Sequence, residues 1–203
     1  MSVYIIDYGM GNLLSVKRAF ELCGADVVIA SKPSDLDEAY HMVLPGVGSF
    51  RDGMKNLREG GWIPKIKENI NKGTPLLGIC LGMQLLADKG YEVEETEGLG
   101  LIPGEIKKIS YKDSSLRIPH VGWNNIIHKK KSEITVDVDD DTDFYFVHSY
   151  HFIPKNCDDV ISVTEYGELV VSIIGSGVVF GTQFHPEKSG KAGFQIIKNF
   201  LQI

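Results

Sequence analysis

The sequence predicts an α/β fold: a central, mostly parallel sheet flanked by helices, with added antiparallel strands in the C-terminal half. Short apolar runs alternate with amphipathic segments of helical length as far as Gly90, which favours parallel strands joined by helices. After Gly90 the apolar residues alternate with period two, which is typical of antiparallel strands. The run Pro75 to Cys80 ends at a glycine-flanked cysteine and then turns helical, which predicts a strand, a sharp turn and a helix.

The first half of the chain contains four strand-like runs with helical segments between them. The strands are predicted at Val3 to Asp7, Ala25 to Ala30, Met42 to Leu44 and Pro75 to Cys80. The helical segments are predicted at Leu13 to Cys23, at Pro33 to Tyr40 as a short connection, from Ser49 onward, and at Trp62 to Asn71. Gly24 and Gly60-Gly61 interrupt the helical pattern, and Asp52 is spaced to cap the helix that starts at Ser49.

The second half is predicted to add strands and one closing helix. The strands are Glu105 to Ile109, Trp123 to Ile127, Asp143 to Phe152, Leu169 to Ile174 and Val178 to Phe184. Gly175-Ser-Gly177 is a good hairpin loop between the last two, and an amphipathic helix follows from Ser189 to Leu201. No repeat or linker interrupts the 203 residues, of which 43% are hydrophobic, so we expect a single domain over residues 1–203.

Charge and hydropathy exclude several classes of protein. A net charge of −6 disfavours nucleic acid as a partner, because phosphate binding needs a basic face. No run of about 18 apolar residues is available to span a membrane. The first residues lack the basic region and cleavage site of a secretory signal. We therefore expect a cytoplasmic protein that binds neither nucleic acid nor membrane.

Neither a metal nor an organic cofactor is expected. Cys23, Cys80 and Cys157 are too widely spaced for a C-x-x-C metal site, and their odd number does not suit a disulfide framework. The glycines of the turn 8–12 lack the third glycine of a dinucleotide fingerprint. The acidic run 137–141 lacks the glycine and terminal glutamate of a calcium loop.

The pentapeptide Gly78-Ile-Cys-Leu-Gly82 has the G-x-S-x-G pattern of a nucleophile elbow, with Cys80 in place of serine. Its glycines allow a tight turn and a close approach of strand and helix. A helix that begins at Leu81 would direct free N–H groups at the sulfur and favour the thiolate. On the pentapeptide alone, a buried structural cysteine remains equally open.

A nucleophilic cysteine needs a base and a group that orients the base. His185 follows an apolar strand, and one proline separates it from Glu187. In an extended segment, residues i and i+2 point the same way, so Glu187 is placed to hydrogen-bond one imidazole nitrogen while the other faces Cys80. The other histidines have ordinary interpretations as strand-end, surface or interface residues.

These motifs together resemble the class I (triad) glutamine amidotransferases, whose fold is flavodoxin-like. The resemblance rests on Gly78-Ile-Cys-Leu-Gly-Met-Gln84 and His185-Pro-Glu187 for a Cys-His-Glu triad, and on Pro45-Gly-Val-Gly48 for the oxyanion strand. Further segments are similar to those members that act as separate glutaminase subunits in histidine biosynthesis: Asp7 to Leu13, Leu44 to Phe50, Pro119 to Asn124, Tyr145 to Tyr150 and Gly181 to Ser189. The match runs from end to end, with no departure at the triad or oxyanion positions.

The resemblance implies a role for each motif. Cys80 would attack the side-chain amide of glutamine, His185 would transfer protons, and Glu187 would orient His185. The oxyanion would be held by the N–H of Leu81 and by that of Val47 or Gly48. The substrate glutamine would be held by Gly46, Gln84, Ser149 and Tyr150, although Ser149 and Tyr150 equally suit an ordinary strand. A plain tight turn is the alternative for the glycines of residues 45–48.

The resemblance also implies a partner. Relatives of this kind form a heterodimer with a cyclase subunit of (β/α)8 barrel fold, which receives the ammonia and uses it in histidine biosynthesis. The residues expected at or near that partner are His120, Trp123, Tyr145, His148 and Lys188. Each of these also suits plain surface or core.

Two rival functions stay open at this point. One is a separate glutaminase that serves anthranilate or pyridoxal phosphate synthesis, although the segments 119–124 and 145–150 favour the histidine pathway. The other is a catalytically silent scaffold that keeps the fold, which the intact set of Cys80, His185 and Glu187 disfavours.

Overall fold

A computed structural model describes residues 2–110 and 116–203. The strands, in chain order, are β1 Ser2–Ile6, β2 Asp26–Ala30, β3 His41–Gly46, β4 Leu76–Cys80, β5 Lys89–Gly90, β6 Thr96–Glu97, β7 Gly104–Lys108, β8 His120–Asn125, β9 Ile127–His128, β10 Asp143–His148, β11 Tyr150–Pro154, β12 Val160–Glu165, β13 Leu169–Ser176 and β14 Val179–Thr182. The α-helices are α1 Leu13–Leu22, α2 Phe50–Glu59, α3 Trp62–Asn71, α4 Leu81–Leu85 and α5 Gly190–Phe200. Short 3₁₀ turns lie at Pro33–Glu38, Glu133–Thr135, Cys157–Asp159 and Pro186–Lys188.

The main sheet of the described residues has the strand order β2-β1-β3-β4-β14-β13-β12-β9. The strands from β2 to β14 in that order run parallel, and the remaining ones are antiparallel. A four-stranded sheet, β11-β7-β5-β6, and the pair β10-β8 stand beside it. The predicted fold class, a mostly parallel sheet with antiparallel strands added by the C-terminal half, is confirmed.

Both faces of the main sheet are covered, which explains why its central strands are apolar throughout. Alternate residues of β1 serve opposite faces: Val3 and Ile5 pack with α1 and α5, whereas Tyr4 and Ile6 pack with α2 and α3. Each face therefore has its own hydrophobic core.

The helix boundaries follow the capping signals in the sequence. Ser49 caps α2, because its Oγ accepts from the N–H of Asp52 at 3.2 Å and donates to the Asp52 carboxylate at 2.8 Å. The helix predicted at Trp62 to Asn71 is observed with those bounds.

No helix of the described residues is long and apolar enough to cross a membrane.

The prediction of one strand from Asp143 to Phe152 is wrong, because the chain divides there into β10 and β11. These strands belong to different sheets, β10 with β8 and β11 with β7. Ser149 lies at the division, and its carbonyl accepts from the N–H of Ile109 at 3.0 Å. The break directs the residues around Ser149 toward the carboxyl edge of the main sheet.

Strand β12 was not predicted, since its sequence breaks the usual alternation. Ser162 and Thr164 are fully buried within it, where apolar residues are the norm. Each is satisfied by a hydrogen bond: Ser162 Oγ lies 2.8 Å from His128 Nδ1, and Thr164 Oγ1 donates to the carbonyl of Asn125 at 2.6 Å. The β13–β14 hairpin also turns later than predicted, because Ser176 still pairs with Val179.

Three neighbouring parallel strands end at one edge of the main sheet. Gly46 at the end of β3 is paired with Cys80 at the end of β4, and Thr182 at the end of β14 is paired with Ile79. The segments that follow these strands therefore meet at this edge, where open α/β sheets bind their ligands.

Candidate active site

Cys80 occupies a sharp turn between β4 and α4. Its backbone has φ +55° and ψ −109°, a combination that is rare for a residue with a side chain. A Cβ at Gly82 would lie 1.7 Å from the carbonyl oxygen of Leu44, and one at Gly78 would lie 2.7 Å from the backbone of Gly82. The glycines on both sides of Cys80 are therefore required by close packing of the backbone, and the predicted elbow is confirmed.

Helix α4 has only five residues, so its dipole adds less to thiolate stabilisation than a long helix would. The backbone N–H groups of the turn itself are still available to stabilise a thiolate. Cys80 is 7% exposed, and its Sγ lies 3.7 Å from the carbonyl oxygen of Val147.

His185 and Glu187 form a buried ion pair beside Cys80. Nδ1 of His185 lies 2.7 Å from Oε1 of Glu187, and the two side chains are 4% and 2% exposed. Burial alone would lower the pKa of His185, but the Cys80 side chain and the Glu187 carboxylate outweigh it and raise the pKa to about 9. The imidazole therefore holds its proton at neutral pH.

The geometry behind this pair differs from the expected extended segment, because residues 186–188 form a 3₁₀ turn. The turn folds Glu187 back onto Nδ1. It is held in place by Ser189, whose Oγ donates to the carbonyl of His185 at 2.7 Å and accepts from the N–H of Tyr145 at 3.0 Å. Nε2 of His185 is buried without a hydrogen bond among the described residues, although Cys80 acts on it electrostatically.

A cavity of about 240 Å³ opens above Cys80. It brings together most of the predicted site residues, from three strand ends and from the break between β10 and β11. Its lining consists of Val47, Gly48, Cys80, Leu81, Gln84, Glu92, Val147, His148, Ser149, Tyr150 and His185. A glutamine side chain that entered this cavity would meet the sulfur, the imidazole and the 47–48 segment together.

Gly46 lies against the elbow without lining the cavity. A Cβ added there would come within 2.4 Å of the Tyr8 hydroxyl and 2.9 Å of the Leu81 Cβ. Gly48 has φ +111°, a region that disfavours other residues. The segment 46–48 therefore needs glycine at position 46 for close packing and at position 48 for its backbone conformation.

Sequence reasoning missed several residues at this site. Glu92 lines the cavity and accepts from the N–H of Phe50 at 2.7 Å, but nothing in its loop distinguished it from the neighbouring glutamates. Tyr8 is buried and its hydroxyl has no hydrogen-bond partner among the described residues; burial and the nearby Cys80 raise its pKa, so it stays a donor. Gln183 places its amide nitrogen 3.9 Å from Cys80 Sγ, and its position two residues before His185 was the available signal.

The residues predicted at the partner divide into surface and buried groups. Trp123 is 59% exposed, Tyr145 is half-buried and Lys188 is exposed. The Trp123 and Tyr145 rings lie 6.0 Å apart, and the Lys188 ammonium lies 5.8 Å from the Tyr145 ring. We call these three residues the aromatic face. His120 and His148 are buried behind it, so they do not reach the surface.

His120 and His148 belong to a chain of hydrogen bonds that leads to the cavity. Burial lowers the pKa of His120 to about 4 and that of His148 to about 3, so both are neutral at pH 7. His148 Nδ1 lies 2.8 Å from the carbonyl of Tyr150 and therefore carries the hydrogen. His148 Nε2 then accepts from His120 Nδ1 at 3.1 Å, and His120 Nε2 accepts from the Asn124 amide at 3.3 Å.

Within residues 2–110 and 116–203, no group of three or more His, Cys, Asp or Glu side chains is arranged to hold a metal ion.

Comparisons with known proteins show what the whole chain is similar to. The sequence profile of the family "Glutamine amidotransferase class-I" matches residues 4–203. The chain is 44% identical over 202 residues to "Imidazole glycerol phosphate synthase subunit HisH" of Moorella thermoacetica, covering 99% of this chain and 94% of that one. It is 46% identical over 201 residues to the protein of the same name from Aquifex aeolicus, covering 98% and 96%.

A solved structure supports the fold. The structure of PurLQS from Thermotoga maritima contains a chain with a TM-score of 0.79 and 21% identity, covering 99% of this chain and 97% of that one. With the family profile matched over nearly the whole length, the chain belongs to the class I glutamine amidotransferases.

Proposed function

We propose that this chain is the glutaminase subunit of an imidazole glycerol phosphate synthase, and that Cys80, His185 and Glu187 are its catalytic triad. The observation that carries the proposal is the buried His185–Glu187 pair beside an elbow cysteine, at the floor of a 240 Å³ cavity. Relatives that bear the name of this subunit match over nearly their whole length.

The first half of the reaction releases ammonia. The Cys80 thiolate attacks the side-chain amide carbon of glutamine, which forms the C–S bond and a tetrahedral oxyanion. The His185 imidazolium, stabilised by Glu187, donates its Nε2 proton to the amide nitrogen, and the C–N bond breaks to release ammonia. Cys80 is the group that acts on His185 from the side opposite Glu187, and its sulfur loses its negative charge as the C–S bond forms, so the Nε2 proton becomes available to the amide nitrogen.

The second half releases glutamate. His185, now neutral, takes a proton from water, and the hydroxide oxygen attacks the thioester carbon. Collapse of the second tetrahedral intermediate breaks the C–S bond, yields glutamate and restores the thiolate–imidazolium pair. In both halves the oxyanion is held by the N–H of Leu81 and by that of Val47 or Gly48, which line the cavity with Cys80.

The rest of the cavity selects glutamine. Glu92 is the carboxylate in its lining, which suits the α-ammonium group of a free amino acid. Gln84, Ser149 and Tyr150 also line the cavity and supply polar contacts. Gly46 contributes by letting the 46–48 segment lie close to the elbow.

We also propose that the aromatic face of Trp123, Tyr145 and Lys188 docks a cyclase subunit of (β/α)8 barrel fold, which takes up the ammonia. Exposed aromatic residues with an adjacent cation are typical of interface hot spots. The 3₁₀ turn that carries Lys188 also carries Glu187, so this face lies directly beside the triad.

Residues 1–203 are proposed to act as one domain in the cytoplasm. Strands of the N-terminal and C-terminal halves are neighbours in the main sheet, since β4 pairs with β14. All three cysteines are free thiols, which suits a reducing compartment.

The test separates ammonia release from ammonia use. Cys80→Ala should abolish glutamine-dependent synthesis by the complex with its cyclase partner, while added ammonium still supports synthesis. Cys157→Ala, which removes an exposed thiol, is the matched control and should keep both activities. Equal loss of both activities in a folded, partner-bound Cys80→Ala complex would refute the assignment.

A further inference from the structure

Gln183 is a buried amide in contact with the nucleophile, and the triad chemistry assigns it no role. It follows β14, two residues before His185, and its side chain is fully buried. Its backbone N–H donates to the carbonyl of Ser172 at 2.9 Å, which fixes the main chain at this point. A buried glutamine must have its amide satisfied, so the partners of its oxygen and its nitrogen define what it does.

A backbone carbonyl determines which way the Gln183 amide points. The carbonyl oxygen of Tyr150 only accepts, so the Gln84 atom 2.9 Å from it must be the nitrogen Nε2. That nitrogen also lies 3.1 Å from Gln183, and because it donates, the Gln183 atom facing it must be the oxygen Oε1. The Gln183 nitrogen is thereby turned toward Cys80 Sγ, 3.9 Å away.

We infer that Gln183 is a positioning residue of the glutaminase site, which donates a hydrogen bond to the Cys80 thiolate and, through its oxygen, holds Gln84 in a fixed orientation. This inference rests on the proposed function for its biological meaning. A donor to the sulfur favours the thiolate over the thiol, because hydrogen bonding to a charged form stabilises that form. The Gln183 amide and the His185 imidazolium thus both favour the thiolate, whereas the Val147 carbonyl oxygen, 3.7 Å from the sulfur, can accept only from the thiol.

The same chain of bonds sets the chemistry of Gln84. Both hydrogens of its Nε2 are used, one on Tyr150 and one on Gln183. Its oxygen accepts no hydrogen bond from the described residues and belongs to a side chain that lines the cavity. Gln84 therefore presents an acceptor to the substrate, which suits an N–H group and disfavours a carboxylate.

Two variants separate these two contacts. Gln183→Met conserves length and volume but removes both the donor and the acceptor. Gln183→Glu keeps the oxygen that accepts from Gln84 and replaces the donor that faces Cys80. Gln195→Met is the matched control, because the Gln195 amide nitrogen donates a hydrogen bond to Asn199 Oδ1 at 2.9 Å within α5, away from Cys80.

The first measurement is alkylation of Cys80 by iodoacetamide, followed on the Cys80 peptide by mass spectrometry from pH 6 to pH 10. His185 and Tyr8 act on Cys80, Glu92 and His148 line the same cavity, and all four stay unchanged in both variants. Gln183→Glu adds a carboxylate, whereas Gln183→Met adds no titratable group. At pH 7 both variants should alkylate between about 10-fold and 100-fold more slowly than wild type, the range expected for loss of a hydrogen bond to a charged group. At high pH the rates should converge, and exposed Cys157 serves as the internal reference.

The second measurement is steady-state glutaminase activity of the complex with its partner. Gln183→Met should lower kcat and also raise KM, since Gln84 loses its orientation. Gln183→Glu should lower kcat with a smaller rise in KM, because the Gln84 contact survives. A purely structural role would change the melting temperature but would not produce this split.

The inference is overturned if a folded Gln183→Met or Gln183→Glu variant shows the wild-type alkylation profile. Should Gln183→Met fail to fold, Gln183→Glu alone decides. If the wild type hydrolyses no glutamine yet the alkylation profiles shift, the proposed function fails and the contact of Gln183 with the sulfur stands. If the wild type is an active glutaminase and the variants match it in both measurements, only the inference fails.

Discussion

Gly46 and Cys80 are paired directly across β3 and β4, so the proposed oxyanion segment and the proposed nucleophile leave neighbouring strands at the same level. The absence of a side chain at Gly46 is what allows Tyr8 and Leu81 to close over this pair.

Gly46→Ala should lower glutaminase turnover by about 10²–10³-fold, because the new Cβ would displace the 46–48 segment and with it an oxyanion donor. Tyr8→Phe in the same chain removes the hydroxyl 2.4 Å from that Cβ and should restore part of the loss, while the contact to Leu81 remains. Gly177→Ala is the control: nothing lies within 4 Å of the added Cβ, and its φ of +57° strains the backbone in the turn between β13 and β14, away from the site. Wild-type turnover in Gly46→Ala would show that the segment tolerates displacement.

The raised pKa of His185, about 9, predicts a titration visible by NMR. The imidazolium should persist through neutral pH and disappear as the pH rises through about 9. Because the folded value lies above the ordinary 6.5, this pair stabilises the fold fully below pH 6.5 and loses that contribution between pH 6.5 and 9.

Glu187→Gln should move the His185 titration to lower pH and lower turnover, since one of the two groups that raise the pKa is removed. Lys188→Gln, a neighbouring change in exposed charge, should shift it far less. An unchanged midpoint in Glu187→Gln would mean that the carboxylate does not set the protonation of His185.

The buried neutral pair of His120 and His148 predicts loss of stability in acid. Their folded pKa values, about 4 and about 3, lie below the ordinary 6.5, so the unfolded chain takes up protons first as the pH falls. The free energy of unfolding should therefore fall from pH 6.5 toward pH 4. Each histidine contributes a slope of up to about 1.4 kcal/mol per pH unit.

His120→Phe removes one of these groups and should reduce that slope by up to about 1.4 kcal/mol per pH unit in denaturant titrations. Trp123→Phe, on the same strand and without a titratable group, should keep the wild-type slope. If the slopes of His120→Phe and wild type coincide, His120 does not remain neutral in the folded protein.

The aromatic face predicts where the partner binds. Trp123→Ala should weaken binding of the cyclase subunit by at least about tenfold, as is common for a buried interface aromatic. Lys188→Ala should weaken it less. Tyr40→Ala is the control, because Tyr40 is 69% exposed and precedes β3, at the opposite edge of the main sheet from the site. Calorimetric titration of the partner gives the dissociation constants, and equal losses for Tyr40→Ala and Trp123→Ala would place the interface elsewhere.

Sequence patterns predicted the features that depend on neighbours in the chain. The elbow at Cys80, the cap at Ser49 and the bounds of α3 follow from local glycine, capping and periodicity signals. His185 and Glu187 were found because they are two residues apart, although a 3₁₀ turn and not an extended segment joins them.

Features that depend on tertiary packing were missed. Strand β12 contains two buried hydroxyl side chains, Ser162 and Thr164, which in the sequence resemble surface residues. Their burial is explained only by their hydrogen-bond partners on β8 and β9. The break at Ser149 arises because the residues before it pair with β8 and the residues after it pair with β7, which belong to different sheets. Glu92 and Tyr8 reach the site from parts of the sequence far from Cys80 and His185, so no local spacing identifies them. Gln183 stands two residues before His185, but its contact with Cys80 depends on the tertiary fold.

The hydrogen-bond chain from Asn124 to the Tyr150 carbonyl has a fixed polarity. Each neutral imidazole carries one N–H and donates it in the same direction, toward the cavity: His120 to His148, and His148 to the Tyr150 carbonyl. The tautomer of one histidine cannot be reversed alone, because two N–H groups or two lone pairs would then face each other at one of its contacts. A disturbance at Asn124, one residue from the exposed Trp123, must therefore be absorbed as a break or passed along the whole chain to the carbonyl that also holds Gln84.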